Sequence, residues 1–269
     1  MSSIISLDRR HIAISQLVIF LIIQIVQFYT RFIQEWRYWH HNKRKSLPRC
    51  ILSSWMGLLG VLAQFRIAGS AMIISNNNPN QSMLIAENVL QGIGLSPLMF
   101  EVSLVLLRSG QAGRKGPGNS RYPKQIRFAL TLFRFPIIFS IVLVVVGASI
   151  QNRICKIVGS IMLPIAFAFG CGLAVLLAVQ YRAVLPKAGH RCVLLVLVAL
   201  PFLVVRVAHF LLAEFGPRKF SSEVGDTGVT VGMRLVMEII ITMCLLAARA
   251  VAEPFWSVPV ETGRGRLTG

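Results

Sequence analysis

The chain has 269 residues, of which 55% are hydrophobic and 14% are charged, and its formal net charge is +18. A soluble domain carries about 25% charged residues, so this composition, with a mean hydropathy of +0.67, argues against a soluble protein. The basic residues stand between apolar runs, which is typical of membrane loops and not of a nucleic-acid-binding patch. We therefore expect an all-α, multi-pass membrane protein that contacts lipid and does not bind nucleic acid.

Seven apolar runs are each near or above the ~20 residues that a membrane-crossing helix needs. They are residues 12–32, 51–74, 83–107, 128–150, 154–180, 192–212 and 229–248. The polar segments between them are too short to form a separate domain. The sequence therefore predicts a single bundle of seven transmembrane helices over residues 1–269, with the fourth and fifth runs nearly touching at residues 151–153.

The distribution of basic residues indicates how the bundle is oriented. Lysine and arginine are concentrated in the loops after runs one, three and five and in the C-terminal tail. Because basic loops stay in the cytoplasm, we expect the N-terminus outside and the C-terminus inside. The sequon Asn80-Gln81-Ser82 lies in the uncharged second loop, on the outer side. Asn80 is thus a candidate N-glycosylation site, with a chance match in a short loop as the alternative.

Residues that catalysis or metal binding would need are sparse. The five cysteines lie in or beside apolar runs without a C-x-x-C motif, as small buried hydrophobes do. His40 and His41 project apart on a helix with no third ligand nearby, so an aromatic belt beside a basic collar is the simpler interpretation. Asp8 and Asp226, the two aspartates, lie outside the runs, so no Asp-rich site for magnesium diphosphate is present. We expect neither a metal nor a cofactor.

Four short stretches together resemble a known family. They are Phe65-Arg66-Ile67-Ala68-Gly69, Ile93-Gly94-Leu95-Ser96-Pro97-Leu98, Leu200-Pro201-Phe202 followed by Arg206, and Met237-Glu238. In this order they resemble a fungal family of seven-helix integral membrane proteins known as a domain of unknown function, over about residues 12–250. The resemblance implies a fungal membrane protein, some of whose relatives are encoded beside secondary-metabolite genes. Glu87 and Glu101 have no counterpart in the pattern, so their roles rest on this sequence alone.

Six ionisable residues fall in the outer half of the predicted bundle. They are Arg66, Glu87, Arg206, His209, Arg234 and Glu238. Arg206 and His209 share one helix face, and so do Arg234 and Glu238. An ionised side chain in hydrocarbon turns to a partner, a cavity or water, so we expect Arg206 to lie within about 6 Å of Glu238 or Glu87.

The remaining charged groups complete this scheme. Arg66 is expected to face the same bundle interior. At the inner ends of runs three and four, Glu101 and Arg134 are predicted to form an ion pair.

Two interpretations of the outer charges stay open. In the structural one, the two glutamates neutralise the arginines, or the arginines reach the interface, and the pairs fix helix register. In the functional one, three guanidinium groups face two carboxylates, and the surplus cation binds the carboxylate or phosphate of an anionic amphiphile.

The residues favour a non-enzymatic carrier, receptor or membrane component linked to a fungal secondary-metabolite pathway. The alternative is a small membrane-embedded terpene cyclase in which Glu87 or Glu238 donates the initiating proton. Neighbouring arginines favour the ionised carboxylate and weigh against that role.

The orientation is tested by tagging each terminus. In intact cells, protease should remove an N-terminal tag and leave a C-terminal tag, because the basic loops hold the C-terminal side in the cytoplasm. Removal of the C-terminal tag alone would reverse the topology and the assignment of the charge cluster to the outer half.

Overall fold

The structure, a computed structural model, describes residues 2–41, 47–55, 57–75, 94–111, 122–150, 152–180, 187–216 and 231–252, and the single positions 185 and 228. The helices in chain order are α1 (Ser2–His41), α2 (Leu47–Trp55), α3 (Leu58–Ser75), α4 (Leu95–Gln111), α5 (Lys124–Leu132), α6 (Arg134–Ser149), α7 (Arg153–Gln180), α8 (Lys187–Phe215) and α9 (Met237–Val251). A π-helical segment, Val231–Val236, leads directly into α9. The part of the chain so described contains no strand, and the predicted all-α class is confirmed.

Six segments of the described chain are long and apolar enough to cross a membrane. They are Arg10–Gln34, Leu58–Ser75, Lys124–Gly147, Arg153–Gln180, Lys187–Phe215 and Val231–Val251. They match six of the seven predicted runs and support a multi-pass membrane protein. The other run, 83–107, is described only from Gly94 onwards, and its described helix is α4. A seventh crossing and the sidedness of the termini stay predictions.

The second predicted run, 51–74, contains the end of α2 at Trp55 and the start of α3 at Leu58, with Gly57 outside both helices. The side chain of Gln27 in α1 reaches this region, where its Nε2 donates a hydrogen bond to the Ser54 carbonyl at 3.4 Å. A Cβ on Gly57 would overlap the side chains of Gln27 and Arg31. Because Gly57 has no side chain, Gln27 can reach the backbone at the end of α2 and donate a hydrogen bond there.

The fourth predicted run, 128–150, is also divided, because α5 ends at Leu132 and α6 begins at Arg134. Pro136 has no N–H to donate to the carbonyl of Leu132, so the regular ladder of hydrogen bonds is interrupted there. Phe133, between the two helices, nevertheless keeps helical dihedral angles, and its N–H still donates to the Ala129 carbonyl at 2.9 Å. The two helices form one candidate membrane span.

The narrow hinge between the fourth and fifth runs does separate two helices. Asn152 caps the start of α7, where its Oδ1 accepts hydrogen bonds from the N–H groups of Ile154 at 3.0 Å and Cys155 at 3.4 Å. A Cβ on Gly147 would lie 2.6 Å from the backbone nitrogen of Lys156, so the two helices pack backbone to backbone. The predicted boundary at residues 151–153 agrees with this turn.

Helix α8 is central, since it packs against α4, α7 and α9. Helix α7 buries a row of small residues, Ala166, Gly170 and Ala174, spaced four residues apart. A Cβ on Gly170 would lie 2.7 Å from Cζ of Phe133, so the aromatic ring rests directly on the α7 backbone. Small residues therefore allow close helix packing here.

Polarity is inverted relative to a soluble protein. Large apolar side chains face outward, among them Phe128, Ile154 and Val179, each more than 65% exposed. Charged side chains are buried between the helices, with Arg66 and Glu238 each about 1% exposed. Such a surface is suited to contact with lipid, and the buried charged groups lie between the helices.

Candidate functional site

A bidentate ion pair joins α3 to α9 inside the bundle. Arg66 Nε donates to Glu238 Oε1 and Arg66 Nη2 donates to Oε2, both at 2.6 Å. Short parallel bonds of this kind are the strongest that a guanidinium makes with a carboxylate. Both side chains are 1% exposed, so each charge is neutralised by its partner rather than by water. Arg66 faces the interior, as the sequence predicted.

Gly94 provides the space for this guanidinium. A Cβ on Gly94 would overlap Arg66 Nη2 and come within 2.8 Å of its Cζ. The guanidinium cannot easily move aside, because Glu238 holds two of its nitrogen atoms. Three of the four stretches that carry the family resemblance therefore meet at Arg66, which packs against Gly94 and bonds Glu238.

Helix α8 brings Arg206 and His209 to the same place. Arg206 Nε lies 3.7 Å from Glu238 Oε2, within the expected distance. That separation is too long for a hydrogen bond. Arg206 and His209 are each 3% exposed, and among the described residues neither Arg206 Nε nor His209 Nε2 has a hydrogen-bond partner. The site thus holds two buried nitrogen atoms that no described protein group satisfies.

Arg234 is the third arginine of the site and lies on the π-helical segment, 8% exposed. Its charge acts on both Glu238 and His209. The prediction that Arg234 and Glu238 share a face assumed α-helical spacing, whereas the segment before Met237 is π-helical and follows a wider turn. Both side chains are buried all the same.

Two predicted residues lie outside the described part of the chain. Glu87, the second carboxylate expected in the charge cluster, falls in the undescribed residues 76–93. The candidate glycosylation site Asn80 falls in the same range. The balance of three arginines against two glutamates therefore stays a prediction.

The predicted pairing of Glu101 with Arg134 is wrong. Glu101 Oε1 lies 3.2 Å from Arg249 Nη1, on α9, whereas Arg134 Nε donates to Ser103 Oγ at 3.1 Å. Residues two apart point to different faces of a helix, so Glu101 and Ser103 meet different neighbours. Arg249 lies one residue past the seventh predicted run, and its spacing from Glu238 keeps both side chains on the buried face of α9.

Sequence reasoning also missed the glutamines of α1. Gln24 and Gln27 are 6% and 0% exposed inside an apolar helix. Buried amides in a membrane-crossing helix are costly and mark functional positions, which was a usable signal. The described residues contain no group of three or more histidine, cysteine or acidic side chains that could hold a metal ion.

Replacing Gly94 with alanine tests the central contact. The added methyl group should displace the Arg66 guanidinium and lower the free energy of unfolding by about 1–3 kcal/mol, as overpacking does. The measurement is denaturant unfolding of the purified protein in detergent micelles.

Gly172 supplies the matched control, because nothing lies within 4 Å of a Cβ placed there. Gly172→Ala should be neutral or slightly stabilising, since alanine favours the helix. In an Arg66→Ala background, Gly94→Ala should lose most of its effect. An equal effect of Gly94→Ala with and without Arg66 would contradict the assigned role of Gly94.

Comparison with known proteins identifies the family. Residues 7–252 match the domain of unknown function DUF7702, and the chain belongs to this family. No curated protein and no solved structure matches the chain.

Proposed function

We propose that this member of the DUF7702 family is a non-enzymatic membrane protein that binds an amphiphile through its anionic head at Arg206 and His209. The observation that carries the proposal is the pair of buried nitrogen atoms, Arg206 Nε and His209 Nε2, that lack a hydrogen-bond partner among the described residues. A buried polar group without a partner is destabilising. An acceptor from a ligand would satisfy both.

The geometry separates Arg206 from Arg66. Both oxygens of Glu238 accept hydrogen bonds from Arg66, while Arg206 Nε lies 3.7 Å from Glu238 Oε2, beyond hydrogen-bond distance. Arg66 is therefore structural, and Arg206 keeps its Nε–H as a donor for an oxygen of a carboxylate or phosphate. His209 adds a second donor whenever its Nε2 carries the proton.

An amphiphile suits the surroundings of this site. The helices that hold the charges expose apolar side chains outward, so an apolar tail could stay in lipid while the head reaches the interior. We further propose that the ligand belongs to a fungal secondary-metabolite pathway, as the resemblance implies. Unchanged metabolite profiles in cells and medium of a deletion strain would remove that part of the proposal.

The contacts of Glu238 weigh against an acid-initiated cyclase. A carboxyl group whose two oxygens both accept hydrogen bonds from a guanidinium is a carboxylate and carries no proton for an olefin or epoxide. Glu87, the other candidate acid, lies outside the described residues. Binding without turnover therefore has the better support.

The binding test uses fluorescently labelled oleoyl lysophosphatidate as the anionic probe and the matching monoacylglycerol as the neutral one. The wild-type protein in nanodiscs of neutral lipid should prefer the anionic probe. Arg206→Gln should weaken its binding about 10- to 100-fold, because a charge-assisted hydrogen bond contributes ~1.5–3 kcal/mol. Binding of the neutral probe should change little, and Arg206→Lys should retain part of the affinity.

The matched control is Arg153→Gln, which removes the same charge from an exposed position at the start of α7. Melting temperatures are compared first, so that loss of binding is not loss of fold. Equal affinity for the two probes, or an Arg206→Gln variant that binds as well as Arg153→Gln, would contradict the proposal.

A further inference from the structure

Three further polar side chains lie three or four residues along the chain from Arg66, Arg206 or Glu238. They belong to three different segments and are Ser70 of α3, His209 of α8 and Arg234 of the π-helical segment. All three are buried. The contacts between the helices establish on which side of the Arg66–Glu238 pair each of them lies.

Helices α8 and α9 run in opposite directions. At one level Arg206 of α8 lies beside Glu238 of α9. At another level Cys192 Sγ of α8 donates to the Ala248 carbonyl of α9 at 3.2 Å. Residue numbers fall on α8 as they rise on α9, so the two helices are antiparallel. A residue after Arg206 and a residue before Glu238 therefore lie on the same side of the ion pair, away from Ala248.

Helix α3 is also antiparallel to α9. Gln34 Nε2 of α1 donates to the carbonyl of Arg249, near the end of α9, at 2.8 Å. One turn earlier on α1, Arg31 would contact a Cβ on Gly57, directly before α3. The start of α3 is therefore close to the level of Arg249, whereas the bidentate ion pair with α9 lies about two and a half turns further along α3. Ser70, one turn beyond that ion pair, lies on the side away from Arg249.

Ser70, His209 and Arg234 therefore lie on one side of the ion pair, and we call them the second level. At a rise of about 1.5 Å per residue, Ser70 is about 6 Å beyond Arg66 and His209 is about 4.5 Å beyond Arg206 along their helices. Two helices and the π-helical segment thus each present a polar side chain at this level.

Ser70 Oγ is buried without a hydrogen bond. The residue is 1% exposed, and no described group bonds to its hydroxyl. A hydroxyl inside a helix can donate to the carbonyl four residues earlier, as Thr242 does to Glu238 at 2.7 Å. Ser70 makes no such bond, although Arg66 is four residues before it. Its O–H is therefore a donor available to a ligand, and leaving it unused in hydrocarbon is costly.

Arg234 brings positive charge to the second level. Its charge acts on both His209 and Glu238, so it lies within electrostatic range of both side chains. On α8, Arg206 Nε and His209 Nε2 lack hydrogen-bond partners among the described residues. The carboxylate of Glu238 is already bonded twice by Arg66. Donors for a ligand thus come from both α3 and α8, close to two guanidinium groups.

We infer that the head of the bound amphiphile is a phosphate monoester, held by Arg206 from α8, Ser70 from α3 and Arg234 from the π-helical segment. A phosphate monoester has three terminal acceptor oxygens and a charge of about −1.5 to −2 at pH 7, whereas a carboxylate or a phosphodiester has two such oxygens and a single charge. Donors on three segments match the three oxygens, and two guanidinium groups match the charge. This inference rests on the proposed function and names the chemical class of its ligand.

The spacing of the donors suits a single phosphate. Donors one turn apart on different segments can bond to different oxygens of one phosphate, because each hydrogen bond adds about 2.7–3 Å. Ser70 is much shorter than Arg66, so at the second level the phosphate rather than a long protein side chain joins α3 to the π-helical segment. Ser70 and Arg234 are then the residues that select a phosphate monoester over other anions.

The first test compares unlabelled ligands by their displacement of the labelled lysophosphatidate from wild-type protein in nanodiscs. Oleoyl lysophosphatidate, a monoester, should act at a concentration at least about tenfold lower than its phosphate methyl ester, which has lost one terminal oxygen and part of the charge. Oleate should compete as weakly as the methyl ester. Glycerol 3-phosphate, which has the same head and no tail, should compete poorly, and competition equal to that of the lipid would place the ligand in solution and overturn the amphiphile.

The second test removes the selecting residues. Ser70→Ala should weaken binding of the monoester about three- to tenfold and leave binding of oleate nearly unchanged. Because the lost hydroxyl has no partner among the described residues, the melting temperature should stay the same or rise, which a structural role for Ser70 would not allow. Arg234→Gln should reduce the preference for the monoester over its methyl ester to less than about threefold.

Ser75→Ala is the matched control, because Ser75 is exposed at the end of the same helix and its hydroxyl donates to the Met72 carbonyl at 3.3 Å. This variant should bind the monoester as wild type does.

The outcomes separate this inference from the proposed function. Equal displacement by the monoester, its methyl ester and oleate would overturn the phosphate monoester and leave the binding of an anionic head in place. A Ser70→Ala variant that binds the monoester as tightly as Ser75→Ala would overturn the inference as well. If wild-type protein shows no preference for the labelled anionic probe over the neutral one, the proposed function fails and the inference fails with it.

Discussion

Arg66 and Glu238 meet inside the helix bundle, where neither has water to stabilise its charge. Each needs the other, because removing one partner of a buried pair costs about 3–5 kcal/mol and leaves an uncompensated ion. The pair fixes α9 against α3, and Gly94 at the start of α4 is small because the guanidinium occupies its side-chain space. Arg206 is drawn to the same carboxylate, yet finds both of its oxygens already bonded.

The two arginines differ in whether the protein satisfies their hydrogen-bond donors, and this difference makes ligand binding at the site possible. A cation satisfied by the protein contributes stability and register, whereas a cation left with free donors can bind something else. Arg206 is of the second kind at one end of α9, and Arg249 has unpartnered nitrogen atoms at the other.

Much of this arrangement follows from the sequence, for a physical reason. Hydrocarbon penalises charge and broken backbone so heavily that long apolar runs must be helices, and that arginines inside them must turn inward to carboxylates. The approach of Arg206 to a carboxylate was predictable on these grounds, with Glu238 and Glu87 as the alternatives, and the structure has Glu238. The closeness of Gly94 to Arg66 was not, because it depends on the separation of two helices that are distant in the sequence.

Other features depend on helix rotation, which hydropathy does not report. Glu101 turns to Arg249 rather than Arg134 because α4 presents Glu101 to α9 and Ser103 to the other side. Gly57 likewise meets Gln27 and Arg31 of α1, a tertiary contact that hydropathy does not indicate. The π-helical segment before Met237 departs from the regular α-helical spacing predicted from the sequence. The glutamines of α1 were visible in the sequence, but their burial depends on how α1 packs against α3.

The central claim is that the Arg66–Glu238 pair holds the bundle together, and a double-mutant cycle tests it most directly. The free energy of unfolding is measured in micelles for wild type, Arg66→Met, Glu238→Gln and the double variant. Each single change should cost about 3–5 kcal/mol, and the double variant should cost far less than their sum, because no charge is then left unpaired. Additivity of the two single effects within about 0.5 kcal/mol would contradict the account.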